Sequence, residues 1–365
     1  MLIAVAYASY WMLIGRFYES TDDAYVNGNI IPVTTQVAGT INTVRVDDTQ
    51  RVKENQLLVQ LDPIDTQMVL DERRAVLART IRETQQLFIN QGSLRAGVSE
   101  RETEVQRAKR DFSRRGKAIR MGAVSQEELI HSKETQQTSE AFLIQARSAL
   151  LSNLSLTTET TLAQHPAVQA AAANLRQAYI DFRRTKIYAP LTGTIAKRTA
   201  EIGQRVSLGA PLMAIVPLEQ VWVDANFKER QMRLMRIGQP VSLTADVYGS
   251  SVVYHGKIQG FSAGTGSAFA LLPPQNATGN WIKVVQRLPI RIQLDHEELK
   301  AHPLRLGLSM EVTVDLHNTQ GSLMGDIEPI PLYQTPIFDT LEKEADAEVA
   351  AMMATTIGKI ARLHQ

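Results

Sequence analysis

The sequence predicts an α+β protein in which a long antiparallel α-helical coiled-coil hairpin is inserted in a split β-sandwich, and a small antiparallel β-barrel follows. Three observations support this fold class. Two distant stretches of the chain repeat each other, the segment between them has helical heptad spacing, and the chain beyond Pro217 alternates apolar and polar residues. Each pattern belongs to a different kind of regular structure.

The repeat holds at one offset, because adding 154 to a residue number in the first stretch gives its equivalent in the second without a gap. The matched pairs are Gly39 and Gly193, Ile41 and Ile195, Arg51 and Arg205, Val52 and Val206, Leu58 and Leu212, Leu61 and Ile215, and Pro63 and Pro217. Short apolar runs separated by Gly and Pro indicate strands and turns. Neither half has enough apolar surface to fold alone, so we expect them to pack face to face, with Gly39, Pro190 and Gly193 at structural turns.

The intervening segment predicts the hairpin. No proline occurs from Ile64 to His165, and one heptad position runs from Leu70 to Ile119. A repeat of 3.5 residues forms the narrow stripe of a coiled coil. Thr84 and Gln91 make that stripe partly polar. Fifty helical residues at about 1.5 Å each span on the order of 75 Å.

The two arms of the hairpin have recognisable boundaries. The first helix should end near Gly122, and Ser125 to Glu128 has the pattern of a capping box that begins the second. β-Branched residues weaken that helix between Thr157 and Thr161. Pro166 is suited to a first helical turn and should restart it, up to about Lys186.

Beyond the hairpin the chain predicts a barrel and a tail. Alternating strands are expected at Val221–Phe227, Val241–Val247, Leu288–Leu294 and Met310–Leu316. A helix should follow near Asp339–Leu363, with Val349 and Met353 on the face that docks on its own domain. The predicted segments are an N-terminal segment at 1–18, the first sandwich half at 19–63, the hairpin at 64–186, the second half at 187–217, the barrel at 218–317 and the tail at 318–365.

The N-terminal segment predicts a membrane anchor. Met1 to Gly15 is uncharged and mostly apolar, but fifteen helical residues span roughly 22 Å against a hydrocarbon core of about 30 Å. We expect a single-pass anchor whose first turns precede this chain. The alternative is a short buried helix.

Composition and motifs exclude several classes of function. The 39 basic and 38 acidic residues are balanced, which argues against nucleic-acid binding, and the chain has no cysteine. The seven histidines show no metal-ligand spacing. Asp62 and Asp65 stand where a strand meets a helix, and Asp65 is interpreted as an N-cap. We therefore predict a protein that is not an enzyme and carries no cofactor or metal.

These residues together carry a family resemblance. The split β-halves, the hairpin and the barrel resemble the HlyD-type membrane fusion proteins, also called periplasmic adaptors, and the run from Ala173 to Gly193 is similar to the entry into their second lipoyl half. Further runs resemble the EmrA-like branch, which serves multidrug efflux. They are Thr21–Val26, Trp222–Glu229, Gly264–Phe269, Leu271–Pro273, Gln275–Trp281 and Lys283–Pro289.

The resemblance implies a function and a location. A lipoyl-like domain would carry the hairpin, the chain would be anchored in the bacterial inner membrane, and its bulk would lie in the periplasm. It would form a homo-oligomer around a major-facilitator drug/proton antiporter and link it to a TolC-type outer-membrane channel, so that hydrophobic drugs cross without release between the membranes.

Two alternatives remain open at this point. The same type of adaptor could serve an ABC transporter in type I protein secretion. A biotinyl- or lipoyl-carrier subunit would share the β-fold, but it needs a lysine at a tight turn between the halves, where this chain has the hairpin.

The resemblance also implies a contact at the hairpin tip. Related adaptors often carry Arg, Leu and Ser there, with Leu four residues after Arg and Ser seven further on. Arg114, Ala118 and Ser125 have this spacing, with Ala118 in the Leu position. They are the candidate contacts to the outer-membrane channel. The structural alternative is that Arg114 is a solvated helix residue and Ser125 only a cap.

Overall fold

A computed structural model describes residues 15–158, 160–269, 285–325, 335 and 337–363. These residues form two compact units, one built of β-strands and one built of the hairpin with the C-terminal helix. The division follows chain order only in part, because the hairpin interrupts the β unit and the C-terminal helix returns to the hairpin unit.

The first part of the β unit is a sandwich of two four-stranded sheets. Its strands are β2 (Ile31–Thr34), β3 (Gly39–Val44), β4 (Arg51–Val52), β5 (Leu57–Leu61), β6 (Lys186–Tyr188), β7 (Gly193–Arg198), β8 (Arg205–Val206) and β9 (Pro211–Val216). One sheet has the order β2-β9-β7-β4 and the other β6-β5-β3-β8. Each sheet therefore takes two strands from each half, so the halves are interleaved as well as packed together.

The repeat is preserved in the core and in the turns. The equivalent residues Leu58 and Leu212 are both fully buried, and so are Leu61 and Ile215. Two turns also correspond, because Thr49 has a φ of 70° and its equivalent Gly203 has a φ of 82°. Asn55 and Gly209 form the second such pair, with φ values of 62° and 81°. The left-handed turns of the second half use glycine, which adopts them without a steric cost.

The second part of the β unit is a closed barrel. Its strands are β1 (Tyr18–Asn27), β10 (Trp222–Lys228), β11 (Pro240–Ala245), β12 (Val253–Phe261), β13 (Arg287–Leu294) and β14 (Ser309–Asp315), in the order β1-β10-β13-β12-β11-β14. A short helix, α4 (His296–Ala301), follows β13. Alternate residues such as Val223, Ala225 and Phe227 fill the interior.

The barrel corrects one predicted boundary. The sequence analysis assigned residues 19–63 to the first half of the lipoyl-like domain, but β1 pairs with β10 and β14 of the barrel. A strand of alternating pattern joins the sheet that has an unpaired edge for it, whatever its position in the chain. The first sandwich half therefore begins at β2.

The helical unit contains the hairpin. Its helices are α1 (Ile64–Ala118), α2 (Gln126–Thr157) and α3 (Pro166–Arg183). Two ion pairs define how α1 and α2 align, because Glu102 bonds Arg147 at 2.7 Å and Lys109 bonds Glu140 at 3.1 Å. From the first pair to the second, the residue number increases on α1 and decreases on α2. The two helices are therefore antiparallel, as predicted.

The predicted seam is observed on α1. Leu70, Leu77, Thr84 and Val105 are buried, and the other heptad positions are half-buried. The return arm is interrupted between Thr157 and Pro166, also as predicted. One expectation is wrong: the N-cap of α1 is Pro63, and Asp65 lies in the first turn, where its charge favours the helix dipole.

The tail ends in helix α5 (Ile337–Leu363), which ends at the predicted residue and begins two residues before the predicted start at Asp339. Val349 and Met353 face the cluster formed by Leu70, Leu77 and Leu175 of the hairpin. The sequence predicted that this helix docks on its own domain. In the structure that domain is the hairpin unit, because the chain returns to it after the barrel.

Gly193 and Gly39 are equivalent in the repeat but not in their surroundings. A Cβ on Gly193 would lie 2.7 Å from Ile215 Cγ2 and 2.7 Å from the carbonyl oxygen of Val216, whereas one on Gly39 would lie 3.4 Å from Leu61 Cδ1. The distances at Gly193 are overlaps with a side chain and a backbone oxygen of β9, and the distance at Gly39 is an ordinary contact. Pro190 lies half-buried in the turn between β6 and β7.

We predict that Gly193→Ala lowers the free energy of unfolding of the β unit by about 1–3 kcal/mol, because overpacking forces β9 to move. Gly39→Ala is the matched control and should change it by less than about 1 kcal/mol. Equilibrium urea unfolding measures both. Equal losses at the two sites would contradict this account of the repeat.

Candidate functional site

The candidate site is the tip of the hairpin, where the two arms meet. After α1 the chain makes one 3-10 turn, Ile119–Met121, and Gly122 then adopts a left-handed φ of 67°. The amide of Ala123 bonds the carbonyl of Ala118 at 3.1 Å, which closes the end of the helix. Glycine at this position lets the chain reverse within a few residues.

The second arm begins with the predicted capping box. The amide of Glu128 donates to Ser125 Oγ at 3.2 Å, and the amide of Ser125 donates to Glu128 Oε2 at 3.0 Å. Two backbone donors that the helix leaves unpaired are thereby satisfied. The acidic first turn, with Glu127 and Glu128, also favours the positive end of the helix dipole.

The structure places Arg114, Ala118 and Ser125 at the same end of the hairpin. The Arg114 side chain is 80% exposed and pairs with Asp111 of its own helix, at 2.5 Å. Ala118 is half-buried, and Ser125 is exposed although its hydroxyl serves the cap. Arg114 can therefore reach an external partner, while Ser125 already has a structural role that accounts for it.

Arg115 is a tip residue that the sequence analysis did not single out. Its Nε lies 3.0 Å from Asp111 Oδ2, and its Nη1 donates to the carbonyl oxygen of Glu128 at 3.3 Å. It therefore links the two arms just below the reversal. Only its position beside Arg114 could have indicated this, because a heptad pattern does not show which of two adjacent arginines turns inwards.

A groove of about 1050 Å³ lies between the arms below the tip. Its walls carry more positive than negative charge, since five arginines face three carboxylates. The basic residues are Arg101, Arg107, Arg110, Arg114 and Arg115, and the acidic ones are Glu104, Asp111 and Glu134. Opposite Arg101, Phe142 takes part in a cation–π contact, with the guanidinium carbon 5.6 Å from the ring centre. The tip end of α1 thus offers cations to a partner.

One carboxylate beside the groove is held in its charged form. Glu140 accepts a hydrogen bond from Gln136 and pairs with Lys109, and the two interactions lower the pKa of its carboxyl below the ordinary value. The local hydrogen bonds cause this shift, since burial acts in the opposite direction.

No metal-binding constellation appears in the described part of the chain. Within residues 15–158, 160–269, 285–325 and 337–363, no three His, Asp or Glu side chains lie together as metal ligands would. Several histidines have structural partners there. His165 caps α3 by accepting from the amide of Ala167 at 3.3 Å, and His255 contacts Glu298 at 2.7 Å.

The membrane anchor expected at 1–18 falls almost entirely outside the described residues. The described part of that range is a 3-10 turn, Gly15–Phe17, followed by the first residue of β1. Among the helices that the structure describes, none has the length and apolar content needed to cross a bilayer.

A split lipoyl-like sandwich interrupted by a helical hairpin and followed by a six-stranded barrel is the arrangement of a membrane fusion protein. A family model described as the α-helical hairpin domain of EMRA matches residues 64–185. The multidrug export protein EmrA of Escherichia coli K12 is 44% identical, over 88% of this chain and 83% of its own length. The chain belongs to the EmrA family of membrane fusion proteins.

A second sequence relative agrees with the assignment, and a solved structure is similar at low identity. The fatty acid resistance protein FarA of Neisseria gonorrhoeae is 46% identical, over 81% of this chain and 75% of its own length. A solved structure of the periplasmic adaptor protein EmrA is 17% identical with a TM-score of 0.40, covering 82% of this chain and 99% of the other. The family assignment depends on the sequence relatives.

We predict that Ser125→Ala destabilises the first turn of α2 by about 1 kcal/mol, because the hydrogen bond from the amide of Glu128 to the Ser125 hydroxyl is lost. Hydrogen exchange at the amides of residues 126–129 should accelerate about fivefold. Ser125→Asp is the control, since a carboxylate also caps and should keep exchange slow. Equally fast exchange in both variants would contradict the capping role.

Proposed function

We propose that this chain is the adaptor subunit of a tripartite multidrug efflux pump. It links a major-facilitator drug/proton antiporter of the inner membrane to a TolC-type channel of the outer membrane. The observation that carries the proposal is the hairpin, in which a 55-residue helix and its return arms are inserted in the chain between the two halves of a split β-domain. Relatives with multidrug export in their names support the same role.

The dimensions of the hairpin suit a connecting function. A helix of 55 residues is about 80 Å long, which is more than twice the thickness of a bilayer core, about 30 Å. Such an element has little value for building an active site, since its residues are spread along one line. It can instead reach from one membrane protein towards another.

The transported compounds are proposed to be hydrophobic or amphipathic. Relatives named for resistance include a fatty acid resistance protein and a colistin resistance protein, both of which refer to amphipathic molecules. In this proposal the adaptor does no chemistry. The antiporter supplies the energy, and the adaptor keeps the two membrane proteins aligned.

The location follows from the same proposal. The N-terminal segment would cross the inner membrane once, and the β unit and the hairpin unit would lie in the periplasm. The absence of cysteine is compatible with an oxidising compartment.

The tip would meet the channel through Arg114, Ala118 and Ser125. Arg114 supports this role because its guanidinium is exposed and is paired with a carboxylate of its own helix, Asp111. A guanidinium can donate to backbone carbonyls or carboxylates at a helical end. Ala118 would pack, and the Ser125 hydroxyl would accept or donate while it caps α2.

Self-association is supported by the outer face of α2. Ile130, Ile144 and Leu151 occupy one heptad position, and they are 52%, 66% and 67% exposed. Within α2 only Ser132 and Thr157 are buried. An apolar line of this kind on a long helix suits packing against a neighbouring hairpin. We propose that a second copy of the chain covers it.

We predict that Arg114→Glu abolishes the drug resistance that the wild-type chain confers on cells with the antiporter and the channel. The fold should survive, because an exposed i,i+3 ion pair contributes only a few tenths of a kcal/mol. Susceptibility is measured at matched expression and helicity. Arg95→Glu, on an exposed residue far from the tip, is the control and should keep resistance.

Two results would count against these proposals. Full resistance with Arg114→Glu would exclude this residue from the channel contact but leave the adaptor role standing. Failure of the wild-type chain to restore any efflux in a strain lacking its relative, despite normal expression, would argue against the adaptor role itself.

We predict that Ile144→Asp weakens self-association of the detergent-solubilised chain at least about tenfold, because it places a charge in an apolar contact. Gln145→Asp changes the adjacent exposed residue, which faces another direction, and should leave association unchanged. Sedimentation velocity at micromolar concentration measures both. A wild-type chain that sediments only as a monomer would refute the oligomer.

A further inference from the structure

The root of the hairpin carries a third helix that the function described so far does not require. Among the side chains of α5 that the structure describes, Ala345, Val349 and Thr356 are buried, at 0%, 5% and 7% exposed. With the partly buried Met352 they are spaced four, three and four residues apart, as in a coiled-coil seam. This narrow stripe faces the hairpin.

The receiving face on the hairpin is apolar and formed by two helices. Leu70, Leu77 and Ile81 come from α1, and the remaining residues come from α3 and are mostly small. They are Val168, Ala171, Ala172, Leu175 and Ala178. Small side chains let a third helix approach closely, and without it the Ala-rich side of this core would be open to water. We call this face the root groove.

Three ion pairs flank the contact, and all have the same polarity. Glu344 bonds Arg183 at 2.8 Å, and Asp346 bonds Arg176 at 2.6 Å. The third pair joins Glu348 and Arg74 at 2.6 Å. Every carboxylate belongs to α5 and every guanidinium to the hairpin. A docked helix of the opposite charge would meet three like charges, so the groove selects an acidic helix.

The three ion pairs differ in solvent exposure. The third pair is the most sheltered, with Glu348 28% and Arg74 33% exposed, and it includes a second hydrogen bond from Arg74 Nε at 2.9 Å. The carboxylates of the other two, Glu344 and Asp346, are 44% and 52% exposed. Exposed pairs contribute little each and are screened by salt. Together the three pairs make the docking of α5, which is otherwise a narrow apolar contact, sensitive to salt.

The root groove lies next to an interruption in the return arm of the hairpin. Between Thr157 and Pro166 the helix is interrupted, so α3 is a separate helix from α2. It is attached to α1 through the root cluster, to which Val349 of α5 also belongs.

We propose that the root groove is a docking surface for an acidic amphipathic helix, and that the chain's own C-terminal helix occupies it as an electrostatic clasp that holds α3 on α1. The clasp is releasable: ionic strength or a change of charge on α5 shifts the balance between its docked and free forms. When α5 leaves, the α3 segment loses protection while α2 keeps its pairing with α1.

Hydrogen exchange of the full-length chain tests the clasp. In Glu344→Arg/Asp346→Arg/Glu348→Arg, amides of residues 340–358 and of α3 should exchange at least about tenfold faster, because three attractions become repulsions. Amides of α2 and of the barrel should be unchanged. Glu342→Arg is the control, since it reverses the charge of an exposed residue on the same helix that takes part in none of the three pairs, and it should retain wild-type protection.

A charge swap separates docking from other effects of the substitutions. Adding Arg74→Glu, Arg176→Glu and Arg183→Glu to the triple variant restores opposite charges across the groove and should return protection to within about threefold of the wild type. Raising salt to 1 M, where the Debye length falls to about 3 Å, should accelerate exchange in the wild type but not in the triple variant. Unchanged exchange in the triple variant, or failure of the swap to restore protection, would overturn the proposal.

Discussion

The shared core of the sandwich is the constraint on which the rest of the structure depends. Each of its two sheets contains strands from both halves, so neither half can bury its apolar residues without the other. In particular β5 and β6 are paired, with Val59 opposite Ile187. The chain leaves one of these neighbouring strands at Leu61 and returns to the other at Lys186. A long segment inserted there must come back to its starting point, and an antiparallel hairpin does so with the fewest turns.

The hairpin in turn explains the distribution of polar residues in the helical unit. A long pair of helices has a narrow contact and a large surface, so most of its residues face water or a neighbouring molecule. Thr84 is buried in the seam, and Asn153 donates to the carbonyl oxygen of Leu87 across it. Polar groups in the seam lower its stability but restrict its register. The apolar residues that the seam could have used lie instead on the outer face of α2, where they are available to another chain.

Charge is also placed by position along the hairpin. Near the tip α1 is rich in arginine and the first turn of α2 is acidic, and at the root the arginines receive acidic residues from α5. Within the described residues none of these groups forms a metal site. The contacts that they make align the arms, cap a helix and dock α5 on the hairpin.

The sequence by itself determined every feature that depends on neighbouring residues. The repeat located both halves of the sandwich, the heptads located the seam, and Ser125 and Pro166 located two helix starts, because spacing and caps act over a few residues. Tertiary structure alone decided the membership of β1 in the barrel, the inward turn of Arg115, the difference between Gly39 and Gly193, and the return of α5 to the hairpin. These depend on partners that are distant in the chain: β1 pairs with a strand about 200 residues away, and Glu348 meets Arg74 across 274 residues. A local sequence pattern predicts which residues of an element can be buried. The surface that buries them is formed only when distant parts of the chain fold together.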